Sequence, residues 1–246
     1  MSTIPSVSIV IPTLNEEKYL PLLLESLRKL DAPLQIIVVD GGSKDTTVLV
    51  AEEYKKYFTG DKTLQCIALD TKGIAMQRNV GAMHATHEHI FFCDADSIAP
   101  STSEYTCIIS EFVKERHVVA TAKIVSIERK ISFIFFHAFF YGIQKMLAFL
   151  GKPYFSGQYL LTTKSAFLSV GGFDESLRIS EDVDFSLRVS KYGTFKIFPI
   201  PIQVSTRRFQ KYGYSWLFTN PSTLLKLLFK GKITNEDKIF YPFGEY

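Results

Sequence analysis

Four short apolar runs, each stopping at a polar side chain, leave this chain very few folds. They are Val7-Ser8-Ile9-Val10-Ile11-Pro12, Gln35-Ile36-Ile37-Val38-Val39-Asp40, Cys66-Ile67-Ala68-Leu69-Asp70 and Ile90-Phe91-Phe92-Cys93-Asp94. Runs of this length, rich in β-branched and large apolar residues, read as buried strands of a parallel sheet. Helical stretches separate them. Asn15-Glu16-Glu17 open the first, with Leu20, Leu23, Leu24 and Leu27 at helical spacing. Asp45-Thr46-Thr47 start the second, and a Lys72-Gly73 loop leads into a third carrying Gln77, Arg78, Asn79 and Gly81. This alternation predicts an α/β, Rossmann-like, mostly parallel sheet with right-handed crossovers and helices on both faces. In such sheets ligands bind outside the carboxyl ends of the strands. Thr13, Asp40, Asp70 and Asp94 all fall there.

The fourth run ends in Asp94-Ala95-Asp96. In extended chain alternate side chains point the same way, so the two carboxylates should project together. Two hard oxygen ligands side by side suit Mg²⁺ or Mn²⁺, completed by substrate phosphates and water. A turn or helix N-cap accommodates Asp-x-Asp-Ser equally well, and the two readings stay open on these residues alone.

The second half is less regular. Strands are predicted over 117–125 and 158–163, with a strongly apolar stretch between them at 131–150. That stretch approaches the length of a membrane span. His137, Gln144 and Lys145 interrupt it, and Arg129, Lys130 and Lys152 flank it. It reads as a helix partly in the core and partly offered to a bilayer interface, with an ordinary core helix as the competing reading. After the turn Gly171-Gly172-Phe173-Asp174-Glu175, Ser180 is placed as an N-cap for a helix opening with Glu181, Asp182 and Asp184. Three carboxylates in four positions exceed what capping needs and point to a catalytic or metal-facing role. Two short strands, 195–198 and 202–205, precede Thr206-Arg207-Arg208, a candidate anion clamp. Residues 214–233 interleave Trp216, Leu217, Phe218, Leu224, Leu225, Leu227, Leu228 and Phe229 with lysines, as a core-docked or interfacial helix would.

The 246 residues carry a net charge of only +3, which gives no reason to expect a nucleic-acid partner. Cys66, Cys93 and Cys107 show no metal spacing and fit small-hydrophobe roles in a reducing compartment. The first residues lack the basic and apolar regions of a signal peptide, so a cytoplasmic location is expected.

From Val7 to Arg208 the chain resembles the family 2 glycosyltransferases, nucleotide-sugar-dependent inverting enzymes of the GT-A fold. The resemblance rests on Val7-Ser8-Ile9-Val10-Ile11-Pro12-Thr13-Leu14-Asn15-Glu16, Val39-Asp40-Gly41-Gly42-Ser43-Lys44-Asp45-Thr46-Thr47, Ala75-Met76-Gln77-Arg78-Asn79-Val80-Gly81, Asp94-Ala95-Asp96, Gly171-Gly172-Phe173-Asp174 and Glu181-Asp182-Val183-Asp184. It implies a catalytic domain over 1–210, with a nucleotide-binding half at about 1–97 and an acceptor half at about 98–210. An amphipathic helix and tail would follow at 211–246.

By the same resemblance, Pro12, Thr13 and Glu16 would line the nucleotide pocket. Asp40 would hydrogen-bond the base and Arg78 would sit beside the base or phosphates. Asp94 would face the ribose or the metal, and Asp96 would bind the Mn²⁺ or Mg²⁺ that bridges the diphosphate. Asp182 would be the general base, with Glu181, Arg207 and Arg208 on the acceptor or its phosphate. The partners implied are a UDP- or GDP-linked donor and a glycan or lipid-linked hydroxyl acceptor, with peripheral contact at the inner face of the cell membrane. A polyprenyl-phosphate acceptor is the alternative within the fold, since an ionised phosphate needs no base. A nucleotidyltransferase would want a glycine-rich, basic loop after the first strand, which Pro12-Thr13-Leu14-Asn15-Glu16 is not. A non-catalytic membrane-binding module leaves the strand-end carboxylates without a purpose.

Overall fold

The structure, a computed structural model, describes residues 4–128, 130–212 and 233–234. Strands β1 (Val7–Thr13), β2 (Leu34–Asp40), β3 (Lys62–Ala68) and β4 (His89–Cys93) run parallel in the order β3-β2-β1-β4. Beyond β4 the sheet continues through β7 (Tyr159–Thr163), antiparallel to it, and β6 (Val119–Ser126), antiparallel to β7. Then come β9 (Phe195–Val204), parallel to β6, and the short β5 (Ser97–Ile98), antiparallel to β9. The two reversals around β7 bring the carboxyl ends of β6 and β9 to the same edge as those of β1 to β4. Every strand end that matters to the chemistry therefore opens onto one crevice.

The sheet's pleat sorts apolar residues onto two faces. Ile9, Ile11, Ile36, Val38 and Phe91 pack on one side against α1 (Leu20–Arg28), α2 (Thr47–Tyr54) and α4 (Thr102–Lys114), through Leu20, Leu24, Ala51, Ile108 and Phe112. Val10, Ile37, Val39, Ile90 and Phe92 pack on the other against α3 (Ile74–His84), α6 (Lys164–Ser169) and α7 (Glu181–Val189). The expected helices on both faces are there.

Several boundaries moved. Helix α1 starts at Leu20 and not at Asn15, because Asn15 adopts φ 57° and turns the chain. The backbone N–H groups of Asn15, Glu16 and Glu17 instead donate to Ser43 Oγ, Thr47 Oγ1 and Asp45 Oδ2, stitching the loops after β1 and β2 together. Strand β3 ends at Ala68, leaving Asp70 in the following loop. The two strands expected over 195–205 are one, β9, interrupted where its pairing with β6 slips: Ala122 faces Phe198 but Lys123 faces Pro201. A bulge at Pro199-Ile200 absorbs the prolines, which cannot donate to the ladder. The three-residue β8 (Leu177–Ile179) was not foreseen and pairs with β10 (Ile233–Thr234). The rest of the C-terminal amphipathic stretch predicted at 214–233 lies outside the described residues.

Helix α5 (Ile131–Phe149) is not a core helix. Only Phe133 is buried, while Phe135 is 72% and Phe149 90% exposed, and Ile131, Ile134, Phe139 and Met146 are exposed too. By length and composition it is long and apolar enough to cross a membrane.

Candidate active site

Helix α3 organises the crevice through three consecutive side chains. Gln77 is fully buried and donates from Nε2 to the carbonyls of Thr13 (2.7 Å) and Val39 (2.8 Å), fixing the ends of β1 and β2. Asn79 accepts the Phe173 N–H at 2.8 Å and donates to the Phe173 carbonyl at 2.9 Å, holding the turn before β8. Gly81 lets the helix close on the sheet, since a Cβ there would fall 2.2 Å from Val10 Cγ1.

Arg78, between them, lies beneath the crevice floor. It is only 1% exposed. Its guanidinium donates from Nη1 to Glu181 Oε1 (2.6 Å) and from Nη2 to Asp94 Oδ1 (3.0 Å). Gly157 backs onto it so closely that a Cβ there would lie 2.3 Å from Nη2. Arg78 is thus a buried counter-ion beneath the site. Glu181, the other carboxylate on it, is turned inward onto Arg78 and buried. Asp184 likewise pairs with Arg188 Nε at 2.7 Å on its own helix.

Asp182 is the member of that acidic cluster left half-buried. Its Oδ2 accepts the Gly157 N–H at 2.6 Å and its Oδ1 the Val183 N–H at 2.8 Å, which orients the carboxylate rigidly. The N-cap expected of Ser180 is not formed. Ser180 is left-handed (φ 72°) with no capping bond from its side chain. The sharp turn it makes lets successive residues face Arg78 and the crevice. A non-glycine residue held in that region is a strained feature of the kind found at functional sites. Burial raises the Asp182 carboxyl above the ordinary range, outweighing the pull of Arg78 and of the two N–H groups. Burial raises Glu181 as well, with the neighbouring Asp182 charge adding to it and Arg78 opposing.

A second charged group flanks the first. Asp94-Ala95-Asp96 is a turn and not extended chain, closed by Ser97 N–H to Asp94 O at 3.1 Å. The two carboxylates accordingly meet different cations. Asp94 meets Arg78, and Asp96 Oδ2 lies 3.3 Å from Arg207 Nε. Arg207 also donates from Nη2 to Glu16 and stacks over the Tyr19 ring at 4.2 Å. Burial pushes the Glu16 carboxyl up to about 7 despite Arg207, and the nearby Asp96 and Asp94 charges push the same way. The structure brings Arg207 to the strand-end carboxylates. It leaves the side chain of Arg208 outside the described residues.

On the nucleotide side Pro12 and Thr13 are buried at the end of β1. Asp40 takes four intrachain donors: Thr13 Oγ1, Ser43 Oγ and the N–H groups of Gly42 and Ser43. Its acceptor capacity is filled by the loop it shapes, where Gly42 supplies the required φ of 82°. Tyr19, Gly157 and Glu128 went unnoticed in the sequence, being single residues outside any spacing pattern.

Among the described residues no group of three or more His, Cys, Asp or Glu is arranged to hold a metal unaided. Asp94 and Asp96 offer hard oxygens beside Glu16, whose Oε2 is buried without a hydrogen-bond partner. That set carries more carboxylate than guanidinium and suits a divalent ion sharing its coordination with a ligand's phosphates.

Residues 8–173 match the family described as glycosyl transferase family 2. The poly(ribitol-phosphate) beta-N-acetylglucosaminyltransferase TarS of Staphylococcus aureus is 33% identical over 115 residues, 45% of this chain and 19% of that protein. The dolichyl-phosphate beta-glucosyltransferase of Homo sapiens is 35% identical over 98 residues, 36% of this chain and 30% of that one. Among solved structures, the mannosyltransferase PcManGT from Pyrobaculum calidifontis, in complex with GDP-Man and Mn²⁺, superposes with a TM-score of 0.72 at 19% identity, covering 94% of this chain and 65% of that one. TarS 1–349 in complex with UDP-GlcNAc gives 0.65 at 20%, covering 82% and 59%. The chain thus spans under two thirds of the length of these relatives. The architecture they share with it is the GT-A fold.

Proposed function

The chain belongs to glycosyl transferase family 2, and we propose that it is a metal-dependent, inverting enzyme acting at the cytoplasmic face of a membrane. It moves a sugar from a UDP- or GDP-linked donor to a hydroxyl of a glycan or lipid-linked acceptor. The observation that carries this reading is the juxtaposition of the Asp94/Asp96 turn with the half-buried, doubly anchored Asp182 at one sheet edge. PcManGT with GDP-Man and Mn²⁺ and TarS with UDP-GlcNAc support the donor class.

Pro12, Thr13 and Glu16 line the nucleotide side, and Asp40 contributes by holding the 41–43 loop that the base meets. Asp96, with Asp94, would hold Mn²⁺ or Mg²⁺, which when bound neutralises charge on the departing diphosphate. Arg207 adds a guanidinium to the same anion. Asp182 takes the acceptor hydroxyl's proton as that oxygen attacks the anomeric carbon from the face opposite the leaving group. Burial of Arg78 behind Asp182 and Asp94 keeps these carboxylates in place. The test is calorimetry with UDP and GDP, with and without Mn²⁺, on wild type and Asp96→Ala. Binding should be strengthened by Mn²⁺ in the wild type and lose most of that gain in the variant. Equal affinity with and without metal in both proteins would sink the metal role.

The membrane location is supported by α5, whose exposed Phe135, Phe139 and Phe149 lie beside Lys130, Lys145 and Lys152. Each basic residue near an anionic leaflet contributes on the order of 1 kcal/mol, and the apolar face adds to that. Wild-type protein should float with anionic liposomes at low salt and release partly at high salt. A Phe135→Ala, Phe139→Ala, Phe149→Ala variant should stay in the soluble fraction. A wild type that stays soluble at low salt would rule the membrane role out.

A further inference from the structure

Arg207 reaches Glu16 and Asp96 from a corner that is held by one carboxylate, Glu128. This residue follows β6 at the crevice edge. Its Oε2 accepts the Thr206 N–H (3.0 Å), Thr206 Oγ1 (2.7 Å) and Ser126 Oγ (2.9 Å), and its Oε1 accepts Ser205 Oγ (3.2 Å). Three of these contacts converge on Oε2, and the one Ser126 hydroxyl hydrogen is shared with the Glu128 backbone carbonyl at 2.8 Å. Ser205 passes the connection on in two directions. Its Oγ accepts the Arg207 N–H at 3.2 Å, and its own N–H donates to the Asp96 carbonyl at 2.9 Å. Ser205 and Thr206 are both buried, so the corner has little freedom to choose another conformation.

The consequence for Arg207 is geometric. A long side chain has several rotamers to choose from, and only a fixed backbone limits where its head can go. Here the root is set by Glu128 and Ser205, and the guanidinium head is stacked on Tyr19 while it pairs with Glu16 and Asp96. We propose that Glu128 is a positioning residue for the donor diphosphate: it fixes the 205–206 corner and so keeps the Arg207 guanidinium at the Asp94/Asp96 turn. The inference rests on the reading of that turn as the diphosphate site. Burial works against ionisation of Glu128, but the hydrogen bonds from Thr206 and Ser126 outweigh it and hold the carboxyl below its usual range. It therefore stays an acceptor at neutral pH.

The experiment combines binding and structure on Glu128→Gln, Arg207→Ala and the double variant. Glutamine keeps the size of the side chain but sets an NH₂ against donors that need an acceptor. UDP and GDP affinity in Mn²⁺ should fall on the order of tenfold in Glu128→Gln, as for a lost hydrogen bond to a charged group. The loss should appear in donor KM and leave kcat close to wild type. In the Arg207→Ala background the same change should have almost no further effect, since the two act as one unit. Equal losses in both backgrounds would show that Glu128 acts on the fold and not through Arg207, and would overturn the proposal. A crystal structure of Glu128→Gln decides independently of any nucleotide. Arg207 should leave Glu16 and Asp96, and an unmoved guanidinium refutes the inference. A wild type that binds neither nucleotide overturns the donor reading, while the position of Arg207 in the variant still judges Glu128.

Discussion

Replacing Asp182 by asparagine should lower sugar transfer to a hydroxyl acceptor ~10²-fold or more, the usual scale for losing a general base, while UDP or GDP binding persists. The change is nearly isosteric, but it is not silent locally. Both carboxylate oxygens accept backbone N–H groups, from Gly157 and Val183. Asparagine can satisfy only one of them, so a stability loss of about 1–3 kcal/mol should accompany the catalytic loss. A thermal scan beside the kinetics separates the two, because a folded fraction near unity at assay temperature leaves the rate as the only thing changed. The pH profile gives a second handle. A base must be ionised to act, so activity should rise with pH through the Asp182 pKa. Burial raises that pKa, so the rise should lie above the ordinary carboxylate range. In the variant this limb should vanish. Glu181 is poorly placed to substitute, being buried and committed to Arg78. A variant with near-normal transfer would therefore point to an acceptor that arrives already ionised, a phosphate.

How much of this was legible in the sequence follows from the range of the interactions involved. Val7–Thr13, Leu34–Asp40 and His89–Cys93 were plain because a strand buried on both faces must be apolar along its whole length. That they run parallel follows from their alternation with helices, whereas their order in the sheet does not. Arg78 was found as a motif residue, but its burial was not. Nothing local says that Asp94, 16 residues on, and Glu181, 103 residues on, will close over it. The Asp94-Ala95-Asp96 turn was open between two readings because the Ser97 bond that closes it competes with continued strand pairing. Pro199 and Pro201 made one long strand look like two, since a bulge is a tertiary solution to a local defect. Gly157 and Glu128 could not be flagged. One matters for the side chain it lacks, the other for four donors drawn from two strand ends.

The largest structural effect is expected at Arg78. Methionine there removes the counter-charge of Asp94 and Glu181 and should destabilise the fold by about 3–5 kcal/mol at neutral pH, the scale for breaking a buried ion pair from one side. Lysine should recover only part of this. A single ammonium cannot repeat the fork that reaches Glu181 at 2.6 Å and Asp94 at 3.0 Å, nor lie flat against Gly157. The pH dependence identifies the cause. In the folded wild type Glu181 and Asp182 already sit above their usual values, with Arg78 pulling them down. Without that pull they rise further, whereas in the unfolded chain they titrate normally. The folded variant then binds more protons than the unfolded one between the two sets of pKa values, so its stability falls as pH rises through that window. Below the unfolded values the carboxyls are neutral in both states, and much of the penalty disappears. Chemical denaturation of Arg78→Met and wild type at about pH 5 and about pH 8 should show the gap widening at the higher pH. A gap that is constant with pH would mean that the loss comes from packing against Gly157 and the Phe173 ring, whose centroid lies 5.5 Å from Arg78 Cζ, and that the carboxylates do not depend on Arg78 for their charge.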